Sequence, residues 1–157
     1  MSGRLVVIDA AVWAGWSFVV GTIAARIPDA WFAHDSRLTA LRSFERDGRC
    51  YERLAIRRWK DRVPELGAFG GGRSKRTLPG RDPASLSRFA AETRRAEYVH
   101  WSIAAAAPFF AIWNPAPLFG AMVAYSLLAN APCIAIQRYN RSRVDRVTRH
   151  REQRVAA

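Results

Sequence analysis

Residues 101–137 form one stretch without a charged side chain, and no other feature limits the fold as much. An uncharged run of about 18 residues is already a candidate membrane span. This one is roughly twice that length and is interrupted by Asn114-Pro115-Ala116-Pro117. The pattern predicts a helical hairpin with arms over 97–113 and 118–137. At 1.5 Å per residue each arm reaches about 25–30 Å, close to the thickness of a hydrocarbon core. The competing possibility is a buried helical pair in a soluble protein, which needs more amphipathic surface than so short a chain offers. Residues 5–27 supply a third apolar segment, whose one acid is Asp9. It reads as a span or signal anchor; cleavage after the small pair Ala24-Ala25 is the alternative.

Charge is segregated from these blocks. Sixteen Lys or Arg fall in residues 37–97 and seven in residues 138–154, and the formal net charge is +12. Short cytoplasmic segments concentrate Lys and Arg. Both basic blocks can be cytosolic only if an even number of spans separates them, which the hairpin provides. The expectation is a multi-pass protein of the cell membrane, mainly α, with about three transmembrane helices. It forms one membrane domain over 1–157: span 1–28, basic interfacial region 36–96, hairpin 97–137 and basic tail 138–157. Basic segments beside a bilayer bind anionic headgroups or an anionic substrate. No nucleic-acid motif accompanies the charge, so nucleic acid is not an expected partner. Cys50 and Cys133 are far apart in sequence, and no disulfide is expected.

Within the basic region, Ser36 is a candidate cap for a helix carrying Leu38, Leu41 and Phe44. A second amphipathic piece is predicted over 51–62, stopped by Pro64. Residues 66–81 read as loop, with Gly70-Gly71-Gly72 followed by Arg73-Ser74-Lys75-Arg76. Flexible amides beside cations can cradle phosphate, but the spacing is not that of a nucleotide-binding loop. Asp82-Pro83 is a strong helix start. That helix places Leu86, Phe89, Thr93, Glu97 and His100 along one stripe.

Several chemistries are absent from the pattern. No nucleophile elbow occurs, and no paired His or Cys cluster suggests a metal. His34 and His150 lie in polar surroundings and read as solvated bystanders. His100 differs, because Glu97 stands one helical turn before it. A carboxylate there can fix the imidazole tautomer and raise its basicity, the arrangement of a general base. In an antiparallel hairpin Asn130 lies level with His100. The alternative is that Glu97 pairs with Arg94 or Arg138 and His100 merely anchors the interface beside Trp101.

Longer motifs add to this. Tyr51-Glu52-Arg53-Leu54, Arg58-Trp59-Lys60, Pro64, Gly67, Gly71-Gly72 and Ser74-Lys75-Arg76 occur in order. They are followed by Glu92-Thr93-Arg94-Arg95-Ala96-Glu97, His100-Trp101, Trp113-Asn114, Asn130-Ala131-Pro132 and Gln137-Arg138-Tyr139-Asn140-Arg141. In these the chain resembles the glycosyl-4,4'-diaponeurosporenoate acyltransferase family of carotenoid biosynthesis. The resemblance implies transfer of a fatty acyl group from an acyl-CoA or acyl carrier to a sugar hydroxyl of a lipid-like glycosylated acceptor. No cofactor is implied. From the chemistry, His100 is the candidate base and Glu97 its orienting group, with Asn130, Arg138 and Asn140 as oxyanion donors. Arg57, Arg58, Lys60, Lys75 and Arg76 are candidates for the donor's phosphates. A non-catalytic membrane scaffold is the other reading, though it has no need of a Glu-x-x-His pair.

Overall fold

A computed structural model describes residues 2–63 and 82–156. Helices dominate: α1 (Ser2–Arg26), the short α2 (Arg49–Arg53) and α3 (Ile56–Trp59), then α4 (Pro83–Ala104) and α5 (Ala116–Val155). Single 3₁₀ turns cover Asp29–Phe32, Ser43–Glu45 and Lys60–Arg62, and a longer one covers Ala107–Ile112. No strand occurs among the described residues.

The antiparallel pair α4–α5 is the spine. Asp82 caps α4, its Oδ1 accepting from the Ser85 amide at 2.8 Å, and Pro83 follows at the first helical position, where a missing N–H costs nothing. Leu86, Phe89 and Ala90 pack on Val144 at the open end of the pair. α1 runs antiparallel to α4. Trp13 stacks on Phe110 with ring centroids 4.7 Å apart, and the Trp16 indole donates to the Ser102 carbonyl. Its outer face is apolar and bare, with Val7 69 % and Phe18 73 % exposed. Asp9 turns inward and is 1 % exposed. Its Oδ1 accepts from the Trp113 indole at 2.8 Å and the Asn114 amide at 2.9 Å.

Among the described residues two helices are long and apolar enough to cross a membrane, Gly3–Arg26 and Ala116–Val155. The first hairpin arm is less regular than the sequence suggests. α4 stops at Ala104 and the chain continues as the 3₁₀ turn Ala107–Ile112. Pro108 is the cause, since its ring meets the carbonyl four residues back, that of Ala104, and cannot donate to it. The basic tail, by contrast, simply prolongs α5. Pro132 is accommodated inside that helix.

The basic region also departs from the expected amphipathic helices. Ser36 does cap a turn, its Oγ accepting from the Leu38 and Thr39 amides, but no helix follows. The carbonyls of Leu38, Thr39 and Ala40 accept from the guanidiniums of Arg138 and Arg141 on α5. Carbonyls committed in this way are lost to i→i+4 pairing. Residues 51–62 are split at Ala55, whose φ is +52°. The predicted loop with Lys75 and Arg76 lies outside the described residues.

Candidate functional site

Where α4 and α5 cross the level of Glu97, four charged side chains and a tyrosine interlock. Glu97 is fully buried. Its Oε1 accepts from Arg138 Nη1 at 2.7 Å and from the Trp101 indole at 3.2 Å, while Oε2 accepts from Arg141. Arg138 turns its other edge to Glu45, with Nε to Oε1 at 2.7 Å and Nη2 to Oε2 at 2.6 Å. With the Leu38 and Ala40 carbonyls included, all five N–H groups of Arg138 are engaged. The Tyr51 hydroxyl donates to Glu45 as well. Burial alone would push the Glu45 carboxyl up. The hydrogen bonds from Arg138, Tyr51 and the Arg42 amide outweigh it and hold the group at about 2, below the ordinary 4.5. The Tyr51 hydroxyl is pushed up, by burial first and then by its bond to Glu45. The network clamps residues 38–51 onto the hairpin through charge-assisted bonds from Arg138 and Arg141 to Glu45 and the three carbonyls.

His100 lies one turn beyond Glu97 and is half-buried. Its Nδ1 is 3.0 Å from Asn130 Oδ1. The Asn130 amide nitrogen donates to the Ser126 carbonyl at 2.9 Å, which orients the amide and leaves Oδ1 as acceptor toward the ring. In the neutral ring this puts the proton on Nδ1 and makes Nε2 the basic nitrogen. Sequence reasoning set Asn130 level with His100, and the structure joins them. Glu97 is engaged with Arg138 and Arg141, and Arg94 pairs with Asp35 at 2.6 Å. The group holding the imidazole tautomer is thus an amide.

The remaining candidates are dispersed. Asn140 is fully buried but stands ten positions beyond Asn130, roughly 15 Å along α5, so it does not share the His100 site. Arg57 bonds Glu52 at 2.6 Å and the Tyr139 hydroxyl at 3.1 Å. Arg57 and Arg58 border a shallow depression with Glu52 and Ala55. Lys60 pairs with Asp61 beside it. His34 and His150 are exposed. Cys50 and Cys133 are both free.

Sequence reasoning missed Arg141, Glu45 and Tyr51. Arg138 and Arg141 are three apart on one helix, which puts both on the face opposing the Glu97 stripe. That spacing was a readable signal. Glu45, set in irregular backbone, gave none.

A family model for glycosyl-4,4'-diaponeurosporenoate acyltransferase matches residues 28–150. A glycosyl-4,4'-diaponeurosporenoate acyltransferase of Staphylococcus haemolyticus (strain JCSC1435) is 30 % identical over 144 residues, covering 90 % of this chain and 84 % of the relative. Proteins of the same name from Staphylococcus aureus strains bovine RF122 / ET3-1 and USA300 are each 27 % identical over 134 residues, covering 83 % of this chain and 79 % of theirs. No solved structure matches. Matched over most of its length and through the helices that carry Glu97, His100, Asn130 and Arg138, the chain belongs to the glycosyl-4,4'-diaponeurosporenoate acyltransferase family.

Proposed function

We propose that the protein is a membrane acyltransferase that moves a fatty acyl group from a thioester donor to a sugar hydroxyl of a glycosylated carotenoid or similar glycolipid. The relatives' names carry the acceptor class. The observation that carries the mechanism is the His100–Asn130 pair, which makes Nε2 the basic nitrogen of the neutral ring. His100 Nε2 takes the hydroxyl proton as the sugar oxygen attacks the thioester carbonyl. The tetrahedral oxyanion collapses, the C–S bond breaks, and the imidazolium returns the proton to the departing thiolate.

Glu97 and Arg138 act as positioning residues. They lock α4 against α5, and so fix the register that brings His100 to Asn130. Asn140 serves the same packing further along α5. Arg57, Arg58 and Lys60, together with Lys75 and Arg76, meet the donor's phosphates. α1, the apolar half of α5 and residues 97–113 cross the cell membrane, with the basic segments in the cytosol. A site at the bilayer edge lets a polyene acceptor arrive from the lipid and a charged donor from the water.

The test is acyl transfer by purified protein in lipid nanodiscs, with melting followed in parallel. His100→Ala is expected to lower turnover by roughly 10²–10⁴-fold, the usual value of a general base. His34→Ala and His150→Ala, at exposed positions, should match wild type. A folded His100→Ala protein retaining more than about a tenth of wild-type turnover removes His100 as the base.

A further inference from the structure

A cleft of about 180 Å³ opens between α4, α5 and residues 35–46, away from the His100–Asn130 pair. Its charged lining is Arg46, Arg94 and Arg141 with Asp35 and Asp145. Arg141 is 3 % exposed, and its Nη2 serves Glu97 and the Thr39 carbonyl. Its Nε and Nη1 have no partner among the described residues. Unmet N–H groups on a buried cation are costly, so an acceptor belongs beside them.

The charges around the cleft show which kind of acceptor. Asp35 is bound to Arg94, and Asp145 to Arg149 at 3.1 Å. Glu45 and Glu97 balance Arg138 and Arg141. The Arg46 guanidinium remains, exposed and in no ion pair among the described residues. Both carboxylates are therefore countered, while the Arg46 guanidinium and the three N–H groups on Arg141 Nε and Nη1 are not. At about 180 Å³ the cleft has room for a tetrahedral anion beside these groups.

We propose that this cleft is a phosphate subsite, which takes a phosphate or phosphodiester group on Arg46 and Arg141. Arg94 precedes His100 by six positions, roughly 9 Å along α4, and Arg141 follows Asn130 by eleven, roughly 16 Å along α5. A ligand held here reaches the base through an arm of that length. A thioester carrier whose phosphate ends a long flexible arm has that form, a point that rests on the acyltransferase reading. An anionic lipid headgroup offers the same chemistry.

The experiment measures binding directly, so it does not depend on catalysis. Full-length protein in phosphatidylcholine nanodiscs is titrated with coenzyme A by calorimetry. In a second arm, phosphatidylglycerol retained by the purified protein is counted by native mass spectrometry. Two variants are compared with wild type: Arg46→Glu, at an exposed position, and Ala40→Leu, which fills the cleft. If coenzyme A is the source, both variants weaken its binding by about five- to tenfold with melting unchanged. If a headgroup is the source, both lose phosphatidylglycerol and coenzyme A binding stays constant. Wild-type behaviour of both variants in both arms overturns the proposal. So does a loss of coenzyme A binding confined to Arg58→Glu, in which case the Arg57–Arg58 surface holds the donor's phosphates without any share taken by the cleft. The acyltransferase reading fails separately, by the turnover of His100→Ala.

Discussion

Replacing Glu97 by Gln preserves the shape of the side chain and removes the charge that two guanidiniums share. The cost follows from what is left behind. Arg138 keeps Glu45 at 2.6 Å, so its charge stays compensated. Arg141 keeps only the Thr39 carbonyl at 2.7 Å and remains buried. The incoming amide also presents N–H where an acceptor is needed. Breaking a buried pair by removing one partner costs about 3–5 kcal/mol, and the lower end applies because only one cation is orphaned. About 3 kcal/mol is a loss of more than a hundredfold in the folding equilibrium constant, at roughly 1.4 kcal/mol per decade. Reversible unfolding in mixed micelles by a denaturing detergent, followed by tryptophan fluorescence, reads this difference. The decisive comparison adds Arg141→Met. If Arg141 is the orphaned charge, the double variant recovers at least half of the loss, a coupling that a double-mutant cycle isolates. A Glu97→Gln protein within about 1 kcal/mol of wild type refutes the network as a clamp. So does a double variant whose cost equals the sum of the singles.

Three further outcomes are expected. Gly48 has φ +74°, and an added Cβ would stand 2.9 Å from Ser142 Oγ. Gly48→Ala should therefore destabilise by about 1–2 kcal/mol in the same unfolding assay, and a neutral result would contradict the left-handed turn. Glu45 titrates at about 2 in the folded protein against an ordinary 4.5. A depressed carboxyl stabilises above its unfolded value, so that stability is intact above about pH 4.5 and declines as pH falls toward 2. Glu45→Gln should flatten the decline, and an unchanged acid profile would argue against it. For topology, single cysteines at exposed Asp47 and Thr148, in a background without Cys50 and Cys133, should resist an impermeant thiol reagent in intact cells. Labelling at only one of the two breaks the hairpin arrangement.

The long helices were legible because their signals are local. The uncharged run, the Asn-Pro-Ala-Pro break and the Asp82-Pro83 cap each act within a turn or two of the chain. The pairing of His100 with Asn130 was legible for a related reason, since an antiparallel hairpin with a known tip fixes which positions are level. The backbone of residues 36–62 was not legible. Its Leu38, Leu41 and Phe44 spacing suits a helix, yet the carbonyls are taken by arginines about a hundred positions later. Local propensity does not anticipate a competitor from that distance. The role of Glu97 was obscured similarly. Its neighbour along the helix is His100, but two guanidiniums across the hairpin outcompete the imidazole for the carboxylate.

Asp9 bears on how such a chain is assembled. Its partners Trp113 and Asn114 come 104 and 105 positions later. If α1 crosses the bilayer, it enters with a carboxylate whose insertion is unfavourable, by at most about 2.5–3.5 kcal/mol, the cost at a helix centre. At 5–20 residues per second, the ribosome takes roughly 5–20 s to deliver the side chains that satisfy it. During that interval α1 is a provisional insert, held by its apolar faces alone. Its final seating is timed by the emergence of the hairpin tip, so this helix is made well before the contacts that secure it.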